Sequence, residues 1–238
     1  MPELPPPTGN WKAGISPPIL NAPWSVLGLI AMLVAIHAAL AIGGENWRVW
    51  SLYALALIPA RFTNIGLPML EGSQYWSLAT YGLLHADWVH LLVNSLWLLV
   101  FGTPVARYLG AAKFLALSLI ATVAGGLGSL ALHWDEVVFV LGASGAVSGL
   151  LAAAIPLMYG VKVPGGIRPL GFMELLRNGR ALALMGIWLA VTLVSGATGW
   201  TGNSFVAESG IAWEAHLGGF IGGLAGFYAF AERAGRGS

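Results

Sequence analysis

A serine and a histidine, two residue types that together can break a peptide bond, stand at matching depths of two apolar stretches in this 238-residue chain. Ser144 lies 18 residues before Lys162, His216 lies 17 before Arg233, and His90 lies 17 before Arg107. If each stretch is helical, a rise of 1.5 Å per residue puts all three about 25–27 Å from a basic end marker. Asn94 follows His90 by one helical turn on the same face. A serine hydroxyl alone is a weak nucleophile, and a base within hydrogen-bond reach activates it. Ser144, at the start of its stretch, would also sit among the backbone N–H groups that a helix leaves open. With the side chains of His90 and Asn94, those donors can stabilise a developing oxyanion. The chemistry these residues suit is acyl transfer, with Ser144 as nucleophile and His216 as base.

Such a pair needs two helix backbones in close approach. Around the serine the chain reads Gly142-Ala143-Ser144-Gly145-Ala146-Val147-Ser148-Gly149. Around the histidine it reads Ala215-His216-Leu217-Gly218-Gly219-Phe220-Ile221-Gly222-Gly223. Gly145 with Gly149, and Gly219 with Gly223, are small-xxx-small pairs of the kind that lets helices pack tightly in a bilayer.

The composition calls for that bilayer. Apolar residues make up 57% and charged residues 9%, against roughly a quarter charged in soluble proteins. Six apolar stretches near 24–43, 86–107, 112–133, 144–160, 181–199 and 214–231 read as membrane spans, the fourth short and with Pro156 near its end. The expected fold is an all-α polytopic membrane protein with three regions: a tail at 1–23, a six-span domain at 24–231 and a second tail at 232–238. Prolines 2, 5, 6, 7, 17, 18 and 23 forbid a continuous helix in the first tail. No basic start leads directly into an apolar run there, so no cleavable signal peptide is expected. Between spans one and two, Trp47, Trp50, Tyr53, Phe62, Tyr75 and Trp76 mark an aromatic loop lying in the interface.

With the N-terminus inside, nine basic residues (Lys12, Arg107, Lys113, Lys162, Arg168, Arg177, Arg180, Arg233 and Arg236) fall on the inner side, and only Arg48 and Arg61 fall outside. That asymmetry obeys the positive-inside rule. Spans two, four and six then run the same way, and the serine and both histidines share a depth below the outer surface. His37, on span one, has no polar partner in any matched pattern, and His133 lies about 30 Å from Lys113 at the outer interface; both read as packing or interfacial residues. Glu208 and Glu214 read as solvated loop charges, and Glu174, Arg177 and Arg180 as an inner solvated loop. Cysteine is absent, and no cluster has metal-ligand spacing, so neither metal nor cofactor is expected. A net charge of +1 gives no basic footprint for nucleic acid.

On these motifs the chain resembles the rhomboid intramembrane serine proteases. The resemblance covers about residues 24 to 231. It rests on Gly142-Ala143-Ser144-Gly145, on the glycine-flanked His216 segment, and on the His-x4-His-x3-Asn pattern of His85, His90 and Asn94. The resemblance implies a six-helix rhomboid bundle and a Ser144/His216 dyad without an acidic third member. It implies an oxyanion site of the Ser144 N–H, His90 and Asn94. His85 and Trp76 match positions that support the first external loop, and Gly219 and Gly223 match the face that packs span six on span four. Two positions depart from the family pattern. The family usually has Trp-Arg in the first loop, where this chain has Trp76-Ser77, so the arginine bracing is lost or supplied elsewhere. Many members carry a tyrosine four residues after the nucleophile, stacked on the catalytic imidazole, where this chain has Ser148.

The implied function is cleavage of transmembrane helices near the outer membrane face. Span five would be the lateral gate, and the loop near 200–213, with Trp200, Phe205 and Val206, the cap. The implied partners are transmembrane protein substrates and the lipid bilayer, and the implied location is a bacterial inner membrane with a cytoplasmic N-terminus. The alternative is a catalytically silent rhomboid-like protein that binds and escorts client helices. A transporter would place charges deep in the spans, and apart from their ends the spans carry almost none.

Overall fold

The computed structural model describes residues 22–63, 70–164, 166–198 and 212–235. Most of the first tail, the end of the second, and Trp200, Phe205, Val206 and Glu208 lie outside the described residues. In chain order the elements are α1 (Trp24–Gly43), α2 (Glu45–Leu55), α3 (Ser73–Thr80), α4 (Trp88–Leu109), α5 (Ala111–Leu132), α6 (Ser144–Met158), β1 (Val161–Val163), β2 (Gly166–Arg168), α7 (Phe172–Arg177), α8 (Gly179–Thr198) and α9 (Trp213–Gly235). Each of the six apolar stretches therefore falls on a helix; α1 has the expected bounds, and the other five have a start or end displaced by a few residues from the sequence reading. Among the described residues, α1, α4, α5 and α8 are long and apolar enough to cross a bilayer, while α6 has only 15 residues.

The helix boundaries have local causes. Asp87 caps α4, its carboxylate accepting the His90 backbone N–H at 2.8 Å; this satisfies one of the first-turn donors that a helix leaves open. The hinge between α4 and α5 is Gly110, at φ +80°, a conformation that favours glycine. Pro156 falls in the last turn of α6, and its carbonyl accepts the Leu170 N–H at 2.9 Å. This contact folds the β1–β2 hairpin, whose strands pair Val161 with Arg168 and Val163 with Gly166, back under the helix. Glu174 joins the same region, bonding Arg168 through both oxygens and accepting the Gly171 N–H.

α6 is the axis of the bundle. Its residues from Gly145 to Leu157 are all buried, packed among α4, α5 and α9. One cluster joins Val26 and Leu33 of α1, Leu98 and Val105 of α4, Phe114 and Leu117 of α5, Leu150 and Ala154 of α6, and Phe227 of α9. A second joins Leu151 and Ile155 of α6 to Ala181 of α8 and Phe220 of α9. By contrast Leu92, Leu96 and Val100 of α4 and Ile187, Val191 and Val194 of α8 point outward. In lipid such faces carry no hydrophobic penalty, and close packing rather than apolar burial holds helices together.

Among its described residues, the connection between α1 and α4 holds α2, α3 and two short 3-10 turns at Pro59–Phe62 and Tyr81–Leu83. Its bracing does not use the expected Trp-Arg pair. Trp76 Nε1 donates to the Ala54 carbonyl at 2.7 Å, and the Thr80 hydroxyl donates to the Leu55 carbonyl at 2.9 Å. Leu57 pairs with Val140, and the Ala60 N–H donates to the Glu136 carbonyl at 3.0 Å. Arg61, 2% exposed, lies with its guanidinium 5.7 Å from the Tyr53 ring centre. Backbone pairing to the segment after α5 thus holds this loop, together with a buried arginine fifteen positions before Trp76.

Candidate active site

Ser144 is the first residue of α6, and Gly142 shapes the turn that leads into it. Gly142 has φ +123°, and a Cβ there would lie 2.8 Å from His90 Nε2 and 3.7 Å from Ser144 Oγ. Glycine is required on both counts, and both side chains flank the same small volume. The turn is held from two sides. The Gly142 N–H donates to the Tyr81 carbonyl at 3.0 Å, and the Ala143 N–H donates to His85 Nε2 at 3.4 Å. Because Ser144 opens the helix, its own N–H belongs to the set without an intrahelical partner.

His90 sits in the first turn of α4. The Ala86 N–H approaches its Nδ1 at 3.5 Å. A ring nitrogen that accepts carries no proton, so the neutral ring holds its proton on Nε2, the atom beside Gly142 and Ser144. His85 packs edge-on to His90, with ring centres 5.1 Å apart. Its Nε2 accepts from Ala143, so its proton is on Nδ1. Asn94 is buried, and its Nδ2 donates to the His90 carbonyl at 3.1 Å; that amide nitrogen has a second N–H to offer.

His216 stands half-buried in the first turn of α9, within electrostatic reach of His90. The contact that carries α9 to α6 is backbone on backbone. A Cβ on Gly219 would lie 2.2 Å from the Gly145 carbonyl oxygen, and one on Gly223 would lie 2.2 Å from the Gly149 Cα. Gly125 and Gly128 of α5 meet α9 in the same way, at the carbonyls of Ala215 and Glu214. Ser148, where many family members have tyrosine, is buried.

Sequence reasoning missed one supporting residue. Tyr81 is 1% exposed; its hydroxyl donates to the Thr122 carbonyl at 2.8 Å and fills the space beside Gly125 and Gly145. It wedges α5 against α6 while its own carbonyl holds Gly142. Tyr81-Gly82 is an unremarkable pair in sequence, and nothing in its spacing marks this role.

One reading needs correcting. Glu214 is not a solvated loop charge: it is 5% exposed, and its Oε1 lies 2.7 Å from His133 Nε2. That partner, His133, stands at the end of α5, and its Nδ1 also lies 2.7 Å from Glu136 Oε2. The His37 ring meets Trp88 edge-on at 4.5 Å. The partners are remote in sequence, 81 residues apart for His133 and Glu214, so spacing along one helix could not reveal them. His37 lines a cavity of about 390 Å³ that also touches Arg48, Ser51, His85 and Asp87 and adjoins the serine turn through His85.

The chain is similar to known proteins. The profile of the Rhomboid domain matches residues 72–233, a stretch that contains Trp76, His85, His90, Asn94, Ser144 and His216. YdcA of Bacillus subtilis (strain 168), whose name assigns it to the rhomboid proteases, is 32% identical over 123 residues, covering 51% of this chain and 58% of that protein. Rhomboid protease GlpG of Pectobacterium atrosepticum is 31% identical over 151 residues, covering 63% and 47%. Uncharacterized protein ML1171 of Mycobacterium leprae is 29% identical over 170 residues, covering 69% and 60%. The chain thus spans about half to three fifths of the length of these relatives.

Proposed function

The chain belongs to the rhomboid family, and from that premise we propose that it is an intramembrane serine endopeptidase acting through Ser144 and His216. It is an integral membrane protein with a helical membrane bundle. One observation carries the reading. The backbone contact of Gly219 on Gly145 sets the helix bearing His216 against the helix that Ser144 opens, with His90 Nε2 beside the same serine. Helix packing alone does not call for a serine hydroxyl with a histidine imidazole beside it at that helix start.

In the proposed mechanism Ser144 Oγ attacks a peptide carbonyl carbon while His216 takes the hydroxyl proton. The carbonyl oxygen becomes an oxyanion, and the Ser144 N–H, His90 Nε2–H and the free Asn94 Nδ2–H donate to it. The C–N bond then breaks, His216 returns its proton to the leaving amine, and an acyl-enzyme remains. A water molecule gives its proton to His216 and attacks the ester, and Ser144 leaves with that proton.

Six spans would cross the membrane between residues 24 and 231, with 1–23 and 232–238 as cytoplasmic tails, in the inner membrane of a bacterium. The length of α6 supports a recessed site. Fifteen residues reach about 22 Å, short of a hydrocarbon core of roughly 30 Å, so Ser144 would start below the outer surface. Substrates would be transmembrane helices cut near that surface, entering past α8. In support, Trp188 of α8 stacks on Phe220 of α9 at 4.4 Å, while Val191 and Val194, further along, stay exposed.

The test is reconstitution into liposomes with a panel of single-span proteins. Cleavage near the outer end of a span, lost in Ser144→Ala, is the expected result. A panel bound but left intact by the folded protein would overturn the protease reading in favour of an escort.

A further inference from the structure

His133, Glu136 and Glu214 make an ion cluster with no part in the chemistry above, yet it touches the helix that carries the base. The imidazole bridges two carboxylates, with Nδ1 2.7 Å from Glu136 Oε2 and Nε2 2.7 Å from Glu214 Oε1. With both carboxylates ionised, and so only accepting, each ring nitrogen donates and the ring is an imidazolium. The carboxylates lie on opposite edges of the ring rather than converging on a point, which is the geometry of a clasp. Glu136 is 56% exposed, whereas Glu214 is 5% exposed, so only one end of the clasp is wet.

The cluster stands where three parts of the fold meet. His133 ends α5, its N–H donating to Ser129. The Glu136 carbonyl accepts from Ala60 of the first loop, and Trp134 packs on Phe62 of the same loop at 6.2 Å. Glu214 is in the first turn of α9, two residues before His216. Its backbone carbonyl lies 2.7 Å from where a Cβ of Gly128 would be, so α5 and α9 have no slack there.

We propose that His133 is a positioning residue for the proposed base His216: as an imidazolium clasped by Glu136 and Glu214 it ties the first loop and the end of α5 to the first turn of α9, and loss of its proton releases that turn. This rests on the serine endopeptidase reading above. Other charges nearby do not compete for the ring. Asp135 accepts from the Thr63 hydroxyl, Arg61 faces Tyr53, and α3, which also packs on α5, has no charged side chain. Among the described residues, the charges that act on His133 are those of Glu136 and Glu214. Burial lowers the imidazole, but hydrogen bonds and attraction from those two carboxylates outweigh it and raise its pKa above the ordinary histidine value. The sign follows. The clasp is complete below the ordinary value, and it is lost as pH rises through the raised one. Beyond that point a neutral ring separates two anions, one of them buried.

The experiment follows amide exchange of residues 213–217 and the rate of fluorophosphonate labelling, both against pH. It uses the full chain in detergent and compares wild type, His133→Gln and the double variant His133→Gln/Glu214→Gln. In wild type, protection of the α9 first turn and labelling should fall together on the alkaline side, labelling by about tenfold to a hundredfold, since a misplacement near 1 Å costs that much. Both variants should lose the alkaline fall, and the double variant, which leaves no buried charge in this cluster, should stay folded and keep its labelling rate on the alkaline side. Identical alkaline profiles in wild type and variants would overturn the proposal, as would an alkaline loss of protection without a loss of labelling. No labelling of wild type at any pH would refute the serine endopeptidase reading instead, and the exchange profiles would still decide the clasp.

Discussion

Adding one methyl group at Gly219 should cost this protein most of its serine reactivity without unfolding it. An alanine Cβ would stand 2.2 Å from the Gly145 carbonyl oxygen and 2.8 Å from its carbon, whereas ordinary contact begins at 3.4 Å. The obstacle is backbone, so no side chain can turn aside. The two helices must part by about 1 Å to restore a normal van der Waals separation. Gly219 is one turn below His216 and Gly145 follows Ser144, so the separation passes almost undiminished to the dyad. A 1 Å error in a near-attack geometry costs about a hundredfold in rate, or about 2.7 kcal/mol in the barrier. The assay is the second-order rate of fluorophosphonate labelling, read beside the thermal midpoint. Gly186→Ala on α8, where a Cβ meets nothing within 4 Å, is the control and should label at the wild-type rate. A Gly219→Ala protein with an unchanged midpoint and a labelling rate within threefold of wild type would refute the reasoning, because the close contact would then not set the dyad.

Two further outcomes follow from the same geometry. His90→Ala and Asn94→Ala should each lower the rate of helix cleavage by about a hundredfold to a thousandfold while leaving substrate binding near wild type, measured as kcat against KM; a change confined to KM would remove them from the oxyanion site. Tyr81→Phe deletes the bond to the Thr122 carbonyl and should cost about 1 kcal/mol of stability, read as a lower thermal midpoint, and the Gly142 turn should keep its backbone bond to residue 81.

The candidate site was first suggested by residue counting. Ser144, His216 and His90 stand 18, 17 and 17 residues before basic markers, which suggested a shared level, but the marker for Ser144, Lys162, lies in β1 beyond the end of α6, so a helical rise does not connect those two. The glycine pairs could be read because only a residue without a Cβ lets two backbones touch, and Gly219 on Gly145 bears this out. The helices themselves followed from apolar length, with α1 at 24–43 as expected. The missing detail at α4 was its cap: Asp87 holds the His90 N–H, so the helix starts at Trp88 rather than at 86. What stayed hidden depends on partners far apart in the chain. His133 meets Glu214 across 81 residues, and Tyr81 reaches Thr122 across 41. No period or motif connects such residues, and a glutamate just before an apolar run looks like a loop charge. The β1–β2 hairpin escaped for another reason. Its strands are three residues long, too short for an alternating pattern to emerge.

The central claim, that Ser144 is activated by His216, is tested most directly by reacting the purified protein with a fluorophosphonate probe and locating the modified residue by mass spectrometry. The expected result is a single adduct on Ser144, absent in Ser144→Ala and lost or strongly slowed in His216→Ala. Labelling that persists in His216→Ala at the wild-type rate, or an adduct on another serine, would contradict it.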